Sequence, residues 1–209
     1  MSRISHKYKF IFFSFPKTGS ESVRSILDPY SDIKAVKKSE ISKDNPFYSH
    51  ITPQETKKIF EEKGWNYEEY YKFTCVRDPY KRLVSLYKMK YKMFSSSSFS
   101  KWTRTLKPNS KMRGDWYKNG TITFKNFISD SDGNILVDHV IKLEEINNKL
   151  PILMNKLGMK VTHVPHINKG SISTVKKISK KNDFLDNKCK DFISRKYAWE
   201  IKEYGYTFL

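Results

Sequence analysis

The chain has 209 residues and carries 40 Lys and Arg against 22 Asp and Glu, a formal net charge of +18. Hydrophobic residues make up 38% and aromatic residues 15%, which excludes a chain disordered throughout, and the length suits a single domain over residues 1–209. The charge favours polyanionic partners, nucleic acid first among them. Two cysteines are too few for a disulfide framework, and no stretch approaches the roughly 20 apolar residues of a membrane helix. The N-terminal apolar run is too short for a signal peptide, so we expect a cytoplasmic protein.

The first half of the chain alternates strand and helix patterns. Tyr8 to Phe15 is an aromatic run of strand length, and a helix is predicted from Ser22 to Leu27. Thr52 to Glu55 is a capping box with proline at the first helical position, which predicts a helix reaching about Lys63. Tyr71 to Val76 then reads as a second buried strand.

The second half continues the alternation. A long helix is predicted to begin at Asp78-Pro79, and residues 95–120 read as a basic loop. The later predicted elements are a helix at Thr123 to Ile128, a strand at Asp138 to Leu143, a helix from Glu144 to about Leu157 that Pro151 should kink or divide, a short strand at Val161 to Val164, and a helix from Asp183 to Tyr204. This order predicts an α/β fold with a central parallel sheet and helices on both faces.

A loop of small residues follows the first predicted strand. Such a loop at a helix N-terminus presents backbone N–H groups and the positive end of the helix dipole to an anion. Lys17 adds a positive charge, and the hydroxyl donors are Thr18, Ser20 and Ser22. The loop is suited to phosphate, but it is not a Walker A loop, because its lysine precedes its only glycine, Gly19.

A second candidate anion site follows the strand that ends at Val76. Arg77 lies at the carboxyl end of that strand, where open α/β sheets bind their ligands, and Ser85 follows within the next predicted helix. A guanidinium and a hydroxyl so placed can hold one phosphate together. The alternative is a surface ion pair between Arg77 and Asp78. We interpret Arg82 as a solvated helix residue.

Together the two segments resemble the nucleotide-binding motifs of the sulfotransferases that use 3′-phosphoadenosine 5′-phosphosulfate. Pro16 to Ser20 resembles the 5′-phosphosulfate loop, and Val76 to Ser85 resembles the 3′-phosphate motif. Both are most similar to those of the carbohydrate sulfotransferases that act on heparan, dermatan and chondroitin. Other similar segments, which extend the resemblance over nearly the whole chain, are His50 to Thr52, Trp65 to Tyr71, Ile141 to Glu144, Pro165 to Asn168 and Tyr204 to Phe208.

The resemblance implies a single α/β domain whose parallel sheet is similar to that of P-loop nucleotide kinases. It implies in-line transfer of a sulfuryl group from 3′-phosphoadenosine 5′-phosphosulfate to an acceptor hydroxyl, with adenosine 3′,5′-bisphosphate as product and no metal. Lys17 would stabilise the charge that builds on the leaving phosphate oxygen. His50 would be the general base, and a carbohydrate is the expected acceptor, bound in part by residues 95–120.

Further roles follow from the same resemblance. Lys169 and Gly170 are similar to a late basic loop that closes over the 3′-phosphate in some sulfotransferases, and His166 would help to line the acceptor site. Glu21 stands where many relatives have a hydroxyl residue. Its carboxylate must either turn away from the phosphosulfate or serve as an acid–base group in place of His50.

Two other classes of function remain as alternatives. A P-loop-type kinase or nucleotide hydrolase is disfavoured by the loop order and by the lack of an evident Mg²⁺-binding aspartate after a strand. A nucleic-acid-binding protein would suit the charge, but helix-turn-helix, zinc-finger and RNA-recognition signatures are absent from the sequence. The basic stretch from Arg77 to Lys118, with 12 basic and two acidic residues, also suits an anionic acceptor.

Overall fold

The computed structural model describes residues 1–90, 98–103, 106, 121–165 and 186–207. They group into two compact units, one formed by Met1–Val76 and Phe124–Asn168 and the other by Arg77–Thr123 and Lys169–Leu209. The helices are α1 (Ser20–Leu27), α2 (Pro53–Glu62), α3 (Pro79–Lys90), α4 (Phe99–Thr103), α5 (Phe124–Ile128), α6 (Ile146–Lys156), α7 (Asn187–Lys196) and α8 (Ala198–Glu203). None of the helices in these described ranges is long and apolar enough to cross a membrane.

The first unit contains a five-stranded mixed sheet. Its strands are β1 (Arg3–Ser5), β2 (Phe10–Phe13), β3 (Ile33–Lys34), β4 (Tyr71–Val76) and β5 (His139–Lys142), in the spatial order β3-β1-β2-β4-β5. β2, β4 and β5 are parallel to one another, as predicted, whereas β1 pairs antiparallel with β2 and β3. The α/β class is confirmed, and β1 and β3, which pair antiparallel with each other, were not predicted.

The core of the first unit explains why its central strands read as continuous apolar runs. All four residues of β2 are buried, because a parallel strand with cover on both faces leaves no side chain in solvent. Phe12 pairs with Phe73 of β4, and Val23 and Leu27 of α1 and Leu150 of α6 belong to the same buried cluster.

Two predictions for the first unit have different outcomes. Of the two effects predicted for Pro151, a break between two helices is wrong, since α6 continues through it from Ile146 to Lys156, and a kink stays a prediction. The segment from Val161 to Val164 is not a strand, although both valines are buried in the same cluster as β2. The two valines are therefore buried by packing of an irregular segment and not by a sheet.

The second unit is helical in its described part. Leu83 and Leu86 of α3, Trp102 of α4 and Ile193 of α7 share one buried cluster. α4 lies within the stretch that was predicted to be a loop, so that prediction is wrong at Phe99–Thr103. The predicted last helix is also divided, because α7 ends at Lys196 and α8 begins at Ala198. Its predicted start at Asp183 lies outside the described residues.

Candidate functional site

The loop between β2 and α1 is anchored by an aromatic side chain. Phe15 is 1% exposed, and its ring centroid lies 5.1 Å from that of Phe124 and 4.9 Å from that of Phe127 in α5. The next residues turn sharply, with Lys17 at φ 68° and Gly19 at φ 77°. A lysine in this left-handed region is strained, and such strain is concentrated at binding and catalytic sites.

Thr18 and Gly19 fix the shape of this loop. The buried Thr18 hydroxyl donates a 2.8 Å hydrogen bond to the Phe15 carbonyl, so its polar atom closes the turn. Because this hydroxyl proton is already donated, an anion in the loop would contact the backbone N–H of Thr18. A methyl group added at Gly19 would collide with Cδ1 of Leu143, which follows β5. Glycine therefore serves both the left-handed backbone and the close approach of Leu143.

The first turn of α1 begins at a glycine. Gly19 occupies the N-cap and has no side chain that could cap this end through a hydrogen bond. The backbone N–H groups of Ser22 and Val23 bond to the Gly19 carbonyl at 3.1 and 3.4 Å. The half-buried Ser20 and Ser22 lie at this end, which is the arrangement that favours an anion.

His50 lies at the same loop. Its Nδ1 is 2.7 Å from the backbone carbonyl oxygen of Ser14, the residue that follows β2 by one position. Because a carbonyl only accepts, Nδ1 carries the proton in this bond, and the neutral tautomer has its lone pair on Nε2. His50 is also left-handed, at φ 63°. The structure thus brings two sequence candidates, Lys17 and His50, to one loop of the first unit.

The charge around His50 is positive. Burial lowers the pKa of His50 to about 4, and the positive charges of the chain's amino group, Arg24 and Lys17 add to this effect, while the bond to Ser14 opposes it. The imidazole is consequently neutral at pH 7. Its side chain accepts a proton there only weakly unless the surrounding charge changes.

Sequence reasoning missed Ser14 and Arg24. The Glu21 carboxylate lies 3.6 Å from the Arg24 guanidinium, three residues further along α1, and its side chain is 51% exposed. That i,i+3 spacing of opposite charges was a usable signal in the sequence. Nothing in the sequence distinguished Ser14, because its contribution to His50 is a backbone carbonyl.

The second motif lies in the second unit. Oδ1 of the buried Asp78 accepts hydrogen bonds from the backbone N–H groups of Tyr80 at 2.8 Å and Lys81 at 3.1 Å, which caps α3 as predicted. Arg77 directly precedes this cap and is half-buried, and Ser85 is half-buried within α3. Both candidate phosphate ligands are therefore attached to one well-capped helix.

The interpretation of Arg82 as a solvated residue is wrong. Arg82 is 2% exposed, and its Nη2 donates a 2.9 Å hydrogen bond to the Ile122 carbonyl. The guanidinium carbon lies 5.3 Å from the centre of the Tyr197 ring, and the Tyr197 hydroxyl donates to the Thr121 carbonyl. The buried Glu200 carboxylate acts electrostatically on the same guanidinium. Arg82 is thus a structural cation at the centre of the second unit.

Three candidates lie where the structure gives no account. Lys169, Gly170 and His166 are outside the described residues, as is most of the predicted acceptor segment 95–120. His163, three residues before His166 in the chain, is exposed in an irregular segment.

Comparison with known proteins gives one positive result. The model of the sulfotransferase family matches residues 1–207. No curated protein and no solved structure matches the chain.

Proposed function

The chain belongs to the sulfotransferase family, and we propose that its donor is 3′-phosphoadenosine 5′-phosphosulfate and its acceptor a carbohydrate-like hydroxyl compound. The observation that carries the proposal is the bond between His50 Nδ1 and the Ser14 carbonyl. It attaches a candidate general base to the loop that is suited to an anion. A base and an anion site in one place are what transfer from an anionic donor to a hydroxyl requires.

In the proposed reaction, one side chain accepts a proton and another stabilises the leaving group. An acceptor hydroxyl oxygen attacks sulfur, its proton passes to Nε2 of His50, and the bond from sulfur to the 5′-phosphate oxygen breaks. The leaving phosphate gains negative charge as that bond lengthens, and Lys17 stabilises it. The hydrogen bond to Ser14 holds the imidazole in the tautomer whose Nε2 can accept the proton. The α1 N-terminus, with Gly19, Ser20 and the backbone of Thr18, supports an anionic group.

The 3′-phosphate is assigned to the second motif. By resemblance Arg77 and Ser85 bind it, the guanidinium through paired hydrogen bonds and the hydroxyl through a third. The capping of α3 by Asp78 favours this role, since it fixes the start of the helix that carries Ser85. Ser22, Lys169 and Gly170 are proposed as further nucleotide ligands on the resemblance alone.

The acceptor is proposed as carbohydrate-like and anionic. The motif forms are most similar to those of carbohydrate sulfotransferases, and the net charge of +18 favours a partner that already carries sulfate or carboxylate groups. A polysaccharide chain with such groups fits both features.

Titration with adenosine 3′,5′-bisphosphate tests the donor assignment. We expect the nucleotide to raise the melting temperature, and Arg77→Ala or Ser85→Ala to weaken binding by about tenfold or more through loss of charge-assisted hydrogen bonds. Arg195→Ala, an exposed arginine of α7, is the matched control and should bind normally. If the nucleotide does not change the melting temperature of the wild-type protein, the proposed donor is refuted. Turnover that depends on Mg-ATP would instead favour a kinase, and retention of generic DNA at physiological salt would favour a nucleic-acid-binding protein.

Transfer assays test the catalytic assignments. Lys17→Ala and His50→Ala should each lower the rate of sulfuryl transfer by about a hundredfold or more. His50→Ala should leave nucleotide binding nearly unchanged, because its assigned partner is the acceptor. Undiminished turnover in His50→Ala would remove it from the mechanism.

A further inference from the structure

Two permanent cations act on His50. They are Lys17 from the loop and Arg24 from α1. The amino group of Met1 donates a 2.9 Å hydrogen bond to Ser14 Oγ beside the ring, and burial lowers its pKa to about 4, so it is neutral at pH 7. The Glu21 carboxylate of α1 lies 3.6 Å from the Arg24 guanidinium. A proton taken up by His50 would therefore add one more positive charge to a cationic cluster.

Arg24 is poorly neutralised by that carboxylate. The closest approach between the two is 3.6 Å, longer than a hydrogen bond, and half of the Glu21 side chain is in solvent. The Arg24 Nε is buried, and among the described residues no acceptor bonds to it. Since a guanidinium does not lose its proton, its field persists at every pH of interest.

This charge balance conflicts with the role proposed for His50. The pKa of His50 is lowered to about 4 in the protein alone. A general base works best when its pKa is near the working pH, so an imidazole this acidic is a poor acceptor for a hydroxyl proton at pH 7. The protein without donor therefore holds its base in an ineffective state.

Resting on the proposed function, we propose that the negative charge of the donor, once bound against Lys17 and Arg24, makes His50 a stronger base, so that the acceptor is deprotonated only while donor is present. The donor carries its negative charge to the N-terminus of α1, where Lys17 and Arg24 lie on either side of the first turn. Anionic oxygens there cancel the field that opposes a proton on Nε2. Arg24 is in this scheme a positioning residue that acts through His50, and the Ser14 carbonyl holds the ring in place meanwhile.

The first experiment follows His50 by NMR in the protein without nucleotide. Its Cε1–Hε1 signal is assigned by its loss in His50→Gln and titrated with pH. The pKa should be about 4 in the wild type. In Arg24→Met it should rise by about one pH unit, because one cation has been removed. Arg24→Lys keeps the charge and should titrate like the wild type, as should the control Lys58→Met on the exposed side of α2.

The second experiment repeats the titration with saturating adenosine 3′,5′-bisphosphate, whose 5′-phosphate supplies the anion. The pKa of wild-type His50 should rise by about one pH unit or more, and Arg24→Met should show a smaller rise. In transfer assays the acidic limb of the pH–rate profile should be displaced in Arg24→Met and restored in Arg24→Lys.

The outcomes separate the two proposals. A nucleotide that does not stabilise the wild-type protein overturns the proposed donor and this inference with it. A nucleotide that binds while the His50 titration stays unchanged overturns this inference alone. An unchanged titration in Arg24→Met also overturns it, whatever the nucleotide does.

Discussion

Replacement of Arg82 by methionine tests whether a buried cation organises the second unit. Methionine keeps most of the length of the side chain and removes the charge and the donors. The change deletes the 2.9 Å hydrogen bond to the Ile122 carbonyl and the contact with the Tyr197 ring. It also leaves the Glu200 carboxylate, 2% exposed, without the guanidinium that attracts it.

The expected loss is about 3 kcal/mol in the free energy of unfolding. A hydrogen bond from a charged donor contributes about 1.5–3 kcal/mol and a desolvated cation–π contact about 1–2 kcal/mol. Methionine offsets part of this loss, because burial of an apolar side chain does not carry the cost of removing a charge from water. The decisive contribution is Glu200, because removal of one partner from a buried pair of charges costs about 3–5 kcal/mol. Lys196 also attracts the Glu200 carboxylate, so the expected loss in unfolding free energy stays near the lower end of that range.

Urea unfolding followed by circular dichroism measures this loss. With a slope of about 2–3 kcal/mol per M, 3 kcal/mol lowers the midpoint by about 1–1.5 M. Arg195→Met, in an exposed arginine of α7, should stay within about 0.5 kcal/mol of the wild type. Adding Glu200→Gln to Arg82→Met should recover part of the loss. If Arg82→Met costs no more than Arg195→Met, the guanidinium lies in solvent and the buried network is refuted.

Two further changes have defined outcomes. In urea unfolding, Gly19→Ala should destabilise the protein by about 1 kcal/mol more than Gly64→Ala. Both glycines are left-handed, but only a methyl group at position 19 would meet another side chain, that of Leu143. Equal losses in the two variants would contradict the close approach of Leu143. The folded-state pKa of His50 is lowered to about 4 from an ordinary 6.5, so folding loses stability as the pH falls from about 6.5 toward 4. His50→Gln should remove at most about 2 kcal/mol of the loss between pH 7 and 5, and an unchanged pH slope would contradict this.

The elements that the sequence predicted well are those whose signal is local. Tyr71–Val76 was predicted at its observed ends, because a parallel strand buried on both faces is a continuous apolar run. The capping box at Thr52 identified the start of α2 for the same reason, since its partner Glu55 is only three residues away. By contrast β1 and β3 have three and two residues and exist through pairing with each other and with β2, which the local sequence does not encode.

Arg82 shows why burial of a charged residue was not predictable. Its residue type and its position on α3 indicate a solvated side chain, because arginine is almost never fully buried without partners. Those partners, the Ile122 carbonyl and the Tyr197 ring, come from 40 residues and more along the chain. Only the tertiary fold brings them to α3.

The choice between Glu21 and His50 as general base also depends on the structure. The Glu21 carboxylate lies 3.6 Å from the guanidinium of Arg24, which is one of the cations that act on His50. Removal of Glu21 would leave Arg24 less compensated and make His50 harder to protonate, so Glu21→Gln can slow transfer even if Glu21 never accepts a proton. Loss of activity in that variant is therefore no proof of a base. Removal of the base takes away the group whose titration produces the acidic limb of the pH–rate profile, whereas an altered field keeps that limb and displaces it.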